Sequence, residues 1–240
     1  MTQGLKFDEP LVEGIIRGRL NRFIMIVEVD GSILRCHCPA TGRIGGIRME
    51  NIPCLLSRGG EGRKTPYTVE AISLDPPAKR GKSWIGINQG RANDHVGFFL
   101  KDGQLSKMAD GEVRREVRLG SSRIDFLVGD TYIEVKTPLT HLPERKHLKH
   151  VKHARFNSFE RLIKHYADLA KNLRGKKAIV SLCYLYDAEP FRAPPADKYN
   201  AKIREAVKAA TKKGVENWQI NMKISKKGVR LVRYFRLAMF

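Results

Sequence analysis

Residues 122–136 read SRIDFLVGDTYIEVK, and this stretch leaves its backbone little choice. Two alternating apolar runs flank Gly129-Asp130, and such a pair between such runs signals a β-hairpin with a two-residue turn. With Gly129 and Asp130 as the loop, Val128 faces Thr131, and counting back sets Asp125 opposite Glu134. Directly opposed residues have Cβ atoms about 4.5–5.5 Å apart, where like charges destabilise the pair. Alternation predicts an apolar face of Ile124, Phe126 and Val128 with Ile133 and Val135. The other face carries Arg123 and Asp125 beside Glu134 and Lys136. Because the side-chain period is two, these charges converge on one patch.

Two adjacent carboxylates either share a proton or hold a cation between them. Mg²⁺, with Mn²⁺ as its substitute, prefers oxygen ligands and commonly uses one or two carboxylates plus waters and substrate phosphate. Lys136 lies on the same face and can reach a phosphoryl oxygen or an attacking water. The plain alternative is a salt lattice on a surface hairpin, Arg123 with Glu134 and Asp125 with Lys136. At this level both readings stand.

Charge narrows the partner. The 240 residues hold 45 Lys+Arg against 25 Asp+Glu, a formal net charge of +20. Such an excess on a folded chain points to a polyanion, nucleic acid before membrane. No run is apolar enough to span a bilayer, and no basic amphipathic helix with a Trp/Phe/Leu face stands out. The first residues, MTQGLKFDEP, lack the apolar core of a secretory signal. Cys36, Cys38, Cys54 and Cys183 have neither zinc-ligand spacing nor the density of a disulfide scaffold. They read as reduced thiols of a cytoplasmic protein, nucleoid-associated if the cell is bacterial or archaeal.

Residues 11 to about 90 read as short strands and turns. Two β-rich runs meet at Asp30-Gly31, and residues 53–56, 67–74 and 84–87 supply three more strands. Five strands in so short a span suggest a small barrel, the OB-fold being the one with nucleic-acid precedent. Its basic loop SRGGEGRKTP offers Arg58, Arg63 and Lys64 to phosphates, and Arg17, Arg19, Arg22 and Arg35 suggest a charged face. Phe23, Tyr67 and Trp84 suit core packing, with base stacking as a second use; His37 reads as structural. After a connecting helix near 91–107, strands are expected over 112–119, 122–128 and 131–137. Helices are expected over 159–173 and 197–213, a buried strand over 178–186, and two closing strands over 218–224 and 229–235. The expectation is a mixed α/β chain of two domains, 1–90 and 91–240.

Glu116, then Ser122-Arg123-Ile124-Asp125-Phe126, then Tyr132-Ile133-Glu134-Val135-Lys136 resembles the core of the PD-(D/E)xK nuclease superfamily. The chain as a whole resembles the sugar fermentation stimulation protein A (SfsA) family. That likeness includes Leu20-Asn21-Arg22-Phe23, His37-Cys38-Pro39-Ala40-Thr41-Gly42, Lys64-Thr65-Pro66-Tyr67-Thr68, Arg114-Arg115-Glu116-Val117 and Glu160-Arg161 with Lys164-His165. It implies an N-terminal OB-like barrel, a C-terminal nuclease-like α/β domain and binding to DNA. By resemblance, Asp125, Glu134 and the Val135 carbonyl hold Mg²⁺ or Mn²⁺. Glu116 would hold a second ion or a water, and Lys136 would activate water. Two departures are visible: Ala40 replaces the usual Asn, and THLPERKHLKHVKHARFNSF replaces an acidic-aromatic segment.

Five of the seven histidines fall between Thr140 and Tyr166. Steps of three among His147, His150 and His153 turn the side chains apart on a helix, which does not favour zinc. The segment reads better as a phosphate-contacting arm beside the hairpin, carried by Arg145, Lys146, Lys149, Lys152 and Arg155, with Lys164 on the following helix. The functional expectation is Mg²⁺-dependent phosphodiester hydrolysis on DNA, with RNA less favoured and a homodimer allowed. Its rivals are a non-cleaving DNA-binding regulator and an RNA-binding factor that uses the barrel.

Overall fold

The computed structural model describes residues 3–40, 42–139, 142–143, 145–149, 151, 159–173 and 175–238. Its elements, in chain order, begin with β1 (Leu5–Lys6), β2 (Val12–Arg19), β3 (Ile24–Val29) and β4 (Ser32–His37). Then come β5 (Ile52–Arg58), β6 (Tyr67–Ile72), β7 (Ile85–Gly86) and α1 (Gln89–Lys101). The rest are β8 (Val113–Leu119), β9 (Ser122–Val128), β10 (Thr131–Lys136), α2 (Glu160–Lys171), β11 (Lys177–Tyr184), α3 (Ala201–Lys212), β12 (Val215–Ser225) and β13 (Gly228–Arg236).

The first sheet has the order β4-β3-β2-β5-β6-β7, and a parallel pairing of β4 with β6 at His37 and Thr68 closes five strands into an OB-like barrel. Asp30 and Gly31 turn β3 into β4 with φ of 49° and 80°, as their Asp-Gly pair predicts. The first β-rich run is two strands, not one. It breaks at residues 20–23 because Asn21 folds its side chain back to accept from the N–H groups of Phe23 and Ile24. Met25, Val27, Cys36, Leu56 and Val69 fill the barrel.

The second sheet runs β1-β13-β12-β11-β10-β9-β8, with β10, β11 and β12 parallel. Its edge strand β1 comes from the N-terminus, so residues 5–6 belong to this sheet although they precede the barrel. Helix α1 packs on one face over Phe126, Ile133 and Ile179; α2 and α3 cover the other over Leu127, Tyr132 and Val180. Strand β11 is buried on both sides, and Leu162, Tyr166, Leu169 and Leu173 form the expected stripe of α2. Burying one such large apolar side chain contributes about 1.5–3 kcal/mol. Helix α1 starts at 89, earlier than expected, because Asn88 caps it by accepting from Arg91 N. Gly97 does not break it, since the missing Cβ makes room for the Phe126 ring. Helix α3 starts late because Asp197 instead accepts from the N–H groups of Tyr199 and Asn200, making a turn.

The two sheets meet at Gly86, whose N–H donates to Leu185 O at 3.1 Å. A Cβ there would lie 2.4 Å from the Leu185 side chain, so the contact requires glycine. No helix among the described residues is long and apolar enough to cross a membrane. The four cysteines are free and buried, and burial pushes the thiols of Cys36 and Cys183 up to about 11 and about 12.

Candidate nuclease-like site and nucleic-acid surface

The hairpin forms in the expected register, with Thr131 opposite Val128 and Ile133 opposite Phe126. Gly129 turns it at φ 54°, against Asp110 O. Regular alternation breaks between Ile124 and Phe126. Ile124 packs with Leu127 and Tyr132 under α2, not with Phe126 and Val128 under α1. Across the ladder, Glu116 adopts a left-handed φ of 54° between two regular pairings, and the β8–β9 ladder is interrupted there.

This break frees the Asp125 side chain from an ordinary ladder position. Its Oδ2 accepts from Val135 N at 2.7 Å, and its Oδ1 accepts from Asn93 Nδ2 of α1 at 2.7 Å. Burial raises the Asp125 carboxyl above its usual value, and the Glu134 charge raises it further against the pull of Val135 N–H, Lys136 and Asn93. Glu134 is 2% exposed. Its Oε1 accepts from Lys136 Nζ at 2.5 Å and faces His165 Nδ1 of α2 at 2.5 Å. Lys136 Nζ and His165 Nδ1 are 3.3 Å apart. Burial pushes Glu134 upward, but His165 and Lys136 outweigh it and hold the carboxyl below its usual value. Glu134 Oε2 is buried with no hydrogen-bond partner among the described residues.

The salt lattice does not form: Arg123 pairs with Glu116 at 2.5 Å, and Lys136 with Glu134. Glu116, at the level of Asp125 across the β8–β9 ladder, is exposed and engaged by Arg123. The other expected contacts divide. Arg19 is spent on structure, donating to the carbonyls of Ala40, Gly42 and Arg22. Arg17 is held by Glu28 and Asn51. Arg22, Arg35, Arg63 and Lys64 are exposed. Phe23 is 45% exposed, not core, with the Arg22 guanidinium 4.8 Å above its ring. Arg58 lies 5.9 Å from the Tyr67 ring. Lys164 is exposed and donates to Ser121 O. Arg145, Lys146 and Lys149 are exposed too, but their segment docks on the barrel, not beside the hairpin. Lys149 O accepts from Arg48 N, Gly46 O from Val151 N, and Leu142 and Leu148 pack on the barrel core. His150, Lys152, His153 and Arg155 lie outside the described residues.

Sequence reasoning did not single out Asn93 or the role of His165. Nothing local marks Asn93, which comes from the other side of the sheet; His165 was visible only within the Lys164-His165 motif.

For a divalent cation, the side-chain oxygen donors present are the carboxylates of Asp125 and Glu134. Hard oxygen ligands, mutual repulsion of the two acids and an orphaned buried carboxylate oxygen fit Mg²⁺ or Mn²⁺. No cluster of three or more His, Cys, Asp or Glu suited to a metal occurs among the described residues.

A closed OB-like barrel fused to a mixed α/β sheet with an Asp/Glu/Lys constellation defines a two-module architecture, not a lone barrel or a lone α/β domain. The chain belongs to the sugar fermentation stimulation protein family. The family's N-terminal OB domain matches residues 18–87, and its RE domain matches residues 90–228. A sugar fermentation stimulation protein homolog of Synechococcus sp. (strain JA-2-3B'a(2-13)) is 30% identical over 233 residues, covering 94% of this chain and 92% of its own. That of Nitrosococcus oceani is 30% identical over 244 residues, covering 95% and 97%. In fold, the chain is similar to Pyrococcus furiosus SfsA, solved in complex with Ca²⁺, at TM-score 0.73 and 23% identity over 98% of each chain.

Proposed function

We propose that this protein binds DNA and hydrolyses its phosphodiester bonds with Mg²⁺ or Mn²⁺. The observation that carries the reading is the half-buried Asp125 and the buried Glu134 beside Lys136, with Glu134 Oε2 left without a donor among the described residues. Pure binding gains nothing from two anions facing phosphate. Asp125, Glu134 and the Val135 carbonyl would hold the ion, which when bound would polarise the phosphoryl group and lower the pKa of a water. Asn93 and the Val135 N–H fix the Asp125 carboxylate, and His165 fixes Glu134. The Lys136 ammonium orients the attacking water and stabilises charge developing on the phosphoryl oxygens. Water adds to phosphorus, the ester P–O bond breaks, and the leaving oxygen takes up a proton. The strand itself would lie on the exposed barrel loops, residues 20–23 and 59–66, where Arg22, Phe23, Arg63 and Lys64 supply cations and a ring face. Their placement matches the loops through which OB-folds bind oligonucleotides.

The test is incubation of the purified protein with single- and double-stranded DNA and RNA under Mg²⁺, Mn²⁺ or EDTA. Cation-dependent cleavage that vanishes in Asp125→Asn is expected. Salt-sensitive binding without cleavage under either ion would instead identify a non-cleaving binder. That reading draws on Glu116 being engaged by Arg123.

A further inference from the structure

Between the barrel and the second sheet lies a cleft of about 260 Å³ that shares no residue with the hairpin site. Strands β12 and β13 set Lys223 directly opposite Arg230, and both line this cleft. Like charges so opposed destabilise a sheet. Both side chains are exposed, and among the described residues neither has a carboxylate within ion-pair distance. Arg145 lines the same space. The two acids that line it are already engaged, and Asp75 also feels the Arg145 charge. Asp75 accepts from Lys79 Nζ at 2.9 Å and Ser83 N at 2.8 Å. Asp187 accepts from Arg233 Nε at 2.9 Å and Asn221 Nδ2 at 3.0 Å. The cleft is therefore left with excess positive charge beside two half-buried aromatic rings, Trp84 and Tyr186.

Paired cations next to ring faces suit a ligand that is anionic at one end and aromatic at the other. Phosphate accepts charge-assisted hydrogen bonds, and a base can stack on an aromatic ring. The volume is below the roughly 300–1,000 Å³ of drug-sized sites, so it suits one small unit. We propose that this cleft binds a nucleoside phosphate, with Lys223 and Arg230 on the phosphate and Trp84 or Tyr186 against the base. The ligand is either a free mononucleotide or one nucleotide of a strand. The site stands whether or not the hairpin cleaves, because it lies between the barrel and β12–β13.

The test titrates the full-length protein with thymidine 5′-monophosphate, a short oligothymidylate and inorganic phosphate, following tryptophan fluorescence and thermal melting. A nucleotide ligand should quench Trp84 and raise the melting temperature; Trp84→Phe should remove the quench. In the double variant Lys223→Gln with Arg230→Gln, affinity should weaken roughly a hundredfold. Its ligand-free melting temperature should hold or rise, since the opposed charges are gone. Response to the mononucleotide assigns a free ligand; response to the oligomer alone assigns a strand segment. Equal response to inorganic phosphate would overturn the nucleoside assignment. Responses unchanged in the double variant would overturn the site, and an earlier-melting double variant would show that the cations are structural.

Discussion

Glu134 Oε1 holds two partners, Lys136 and His165, while its Oε2 meets no donor among the described residues. Asp125 beside it has both oxygens engaged yet titrates high, because burial and its neighbour's charge disfavour the anion. The pair therefore titrates in opposite directions. Glu134, held low, contributes stability above its unfolded pKa, lost as pH falls through its depressed folded value. Asp125, held high, destabilises the ionised fold, and acidification through its raised pKa relieves that cost. Cation affinity should thus fall as pH drops through the raised Asp125 pKa, while Glu134 is still ionised. Calorimetric titration of Mn²⁺ across pH checks this; affinity flat across that window would contradict it. His165→Ala should weaken cation affinity roughly 10–100-fold by freeing Glu134, with partial recovery in His165→Gln. Lys136→Ala should lower cleavage roughly 10²–10³-fold and leave Mn²⁺ affinity nearly intact.

At the scale of elements, α1 joins the two modules. Its cap Asn88 donates to the buried Glu70 of β6 at 2.8 Å, and five residues on, Asn93 holds Asp125. Between contact faces sits His95, 3% exposed, with Nδ1 unpartnered among the described residues. Burial, then Arg91, pushes its pKa down to about 4, against a weaker pull from Asp94. A folded pKa below the unfolded one means stability is lost as pH falls from about 6.5 towards 4, by up to about 3 kcal/mol. Chemical denaturation at several pH values should show this, and His95→Leu should flatten the curve there. An unchanged slope in that variant would place the acid lability elsewhere. Asn93→Ala should lower cleavage without a matching loss of stability, because it removes a positioning bond to Asp125 rather than core contact.

Across the whole molecule, the charge of +20 is not uniform in use. Arg17, Arg19 and Arg123 are engaged by groups of the chain itself, and Arg22, Arg63, Lys64, Lys146 and Lys149 are exposed cations. DNA affinity should fall steeply with salt as phosphates release counterions. The double variant Lys146→Ala with Lys149→Ala should reduce the slope of log affinity against log salt by up to about 2 on duplex DNA. An unchanged slope would remove that segment from the DNA surface and leave it as a brace on the barrel.

The hairpin, the closing Asp30-Gly31 turn, the stripe of α2 and the buried β11 were legible in the sequence. Each rests on local periodicity or turn chemistry, which acts over a few residues. The two-residue turn fixes the register as far as Ile133 opposite Phe126, which made the coupling of Asp125 with Glu134 just beyond it legible too. What only the tertiary structure decided is which groups arrive from elsewhere. Asn93 and His165 reach the carboxylates from helices on opposite faces of the sheet, and no local pattern encodes that meeting. Glu116 takes a left-handed backbone in β8 and pairs with Arg123, a pairing that no local pattern announces. The described part of the basic arm, residues 145–149, goes to the barrel because Leu142 and Leu148 find apolar cover there, a preference set by long-range burial and not by its own charge pattern.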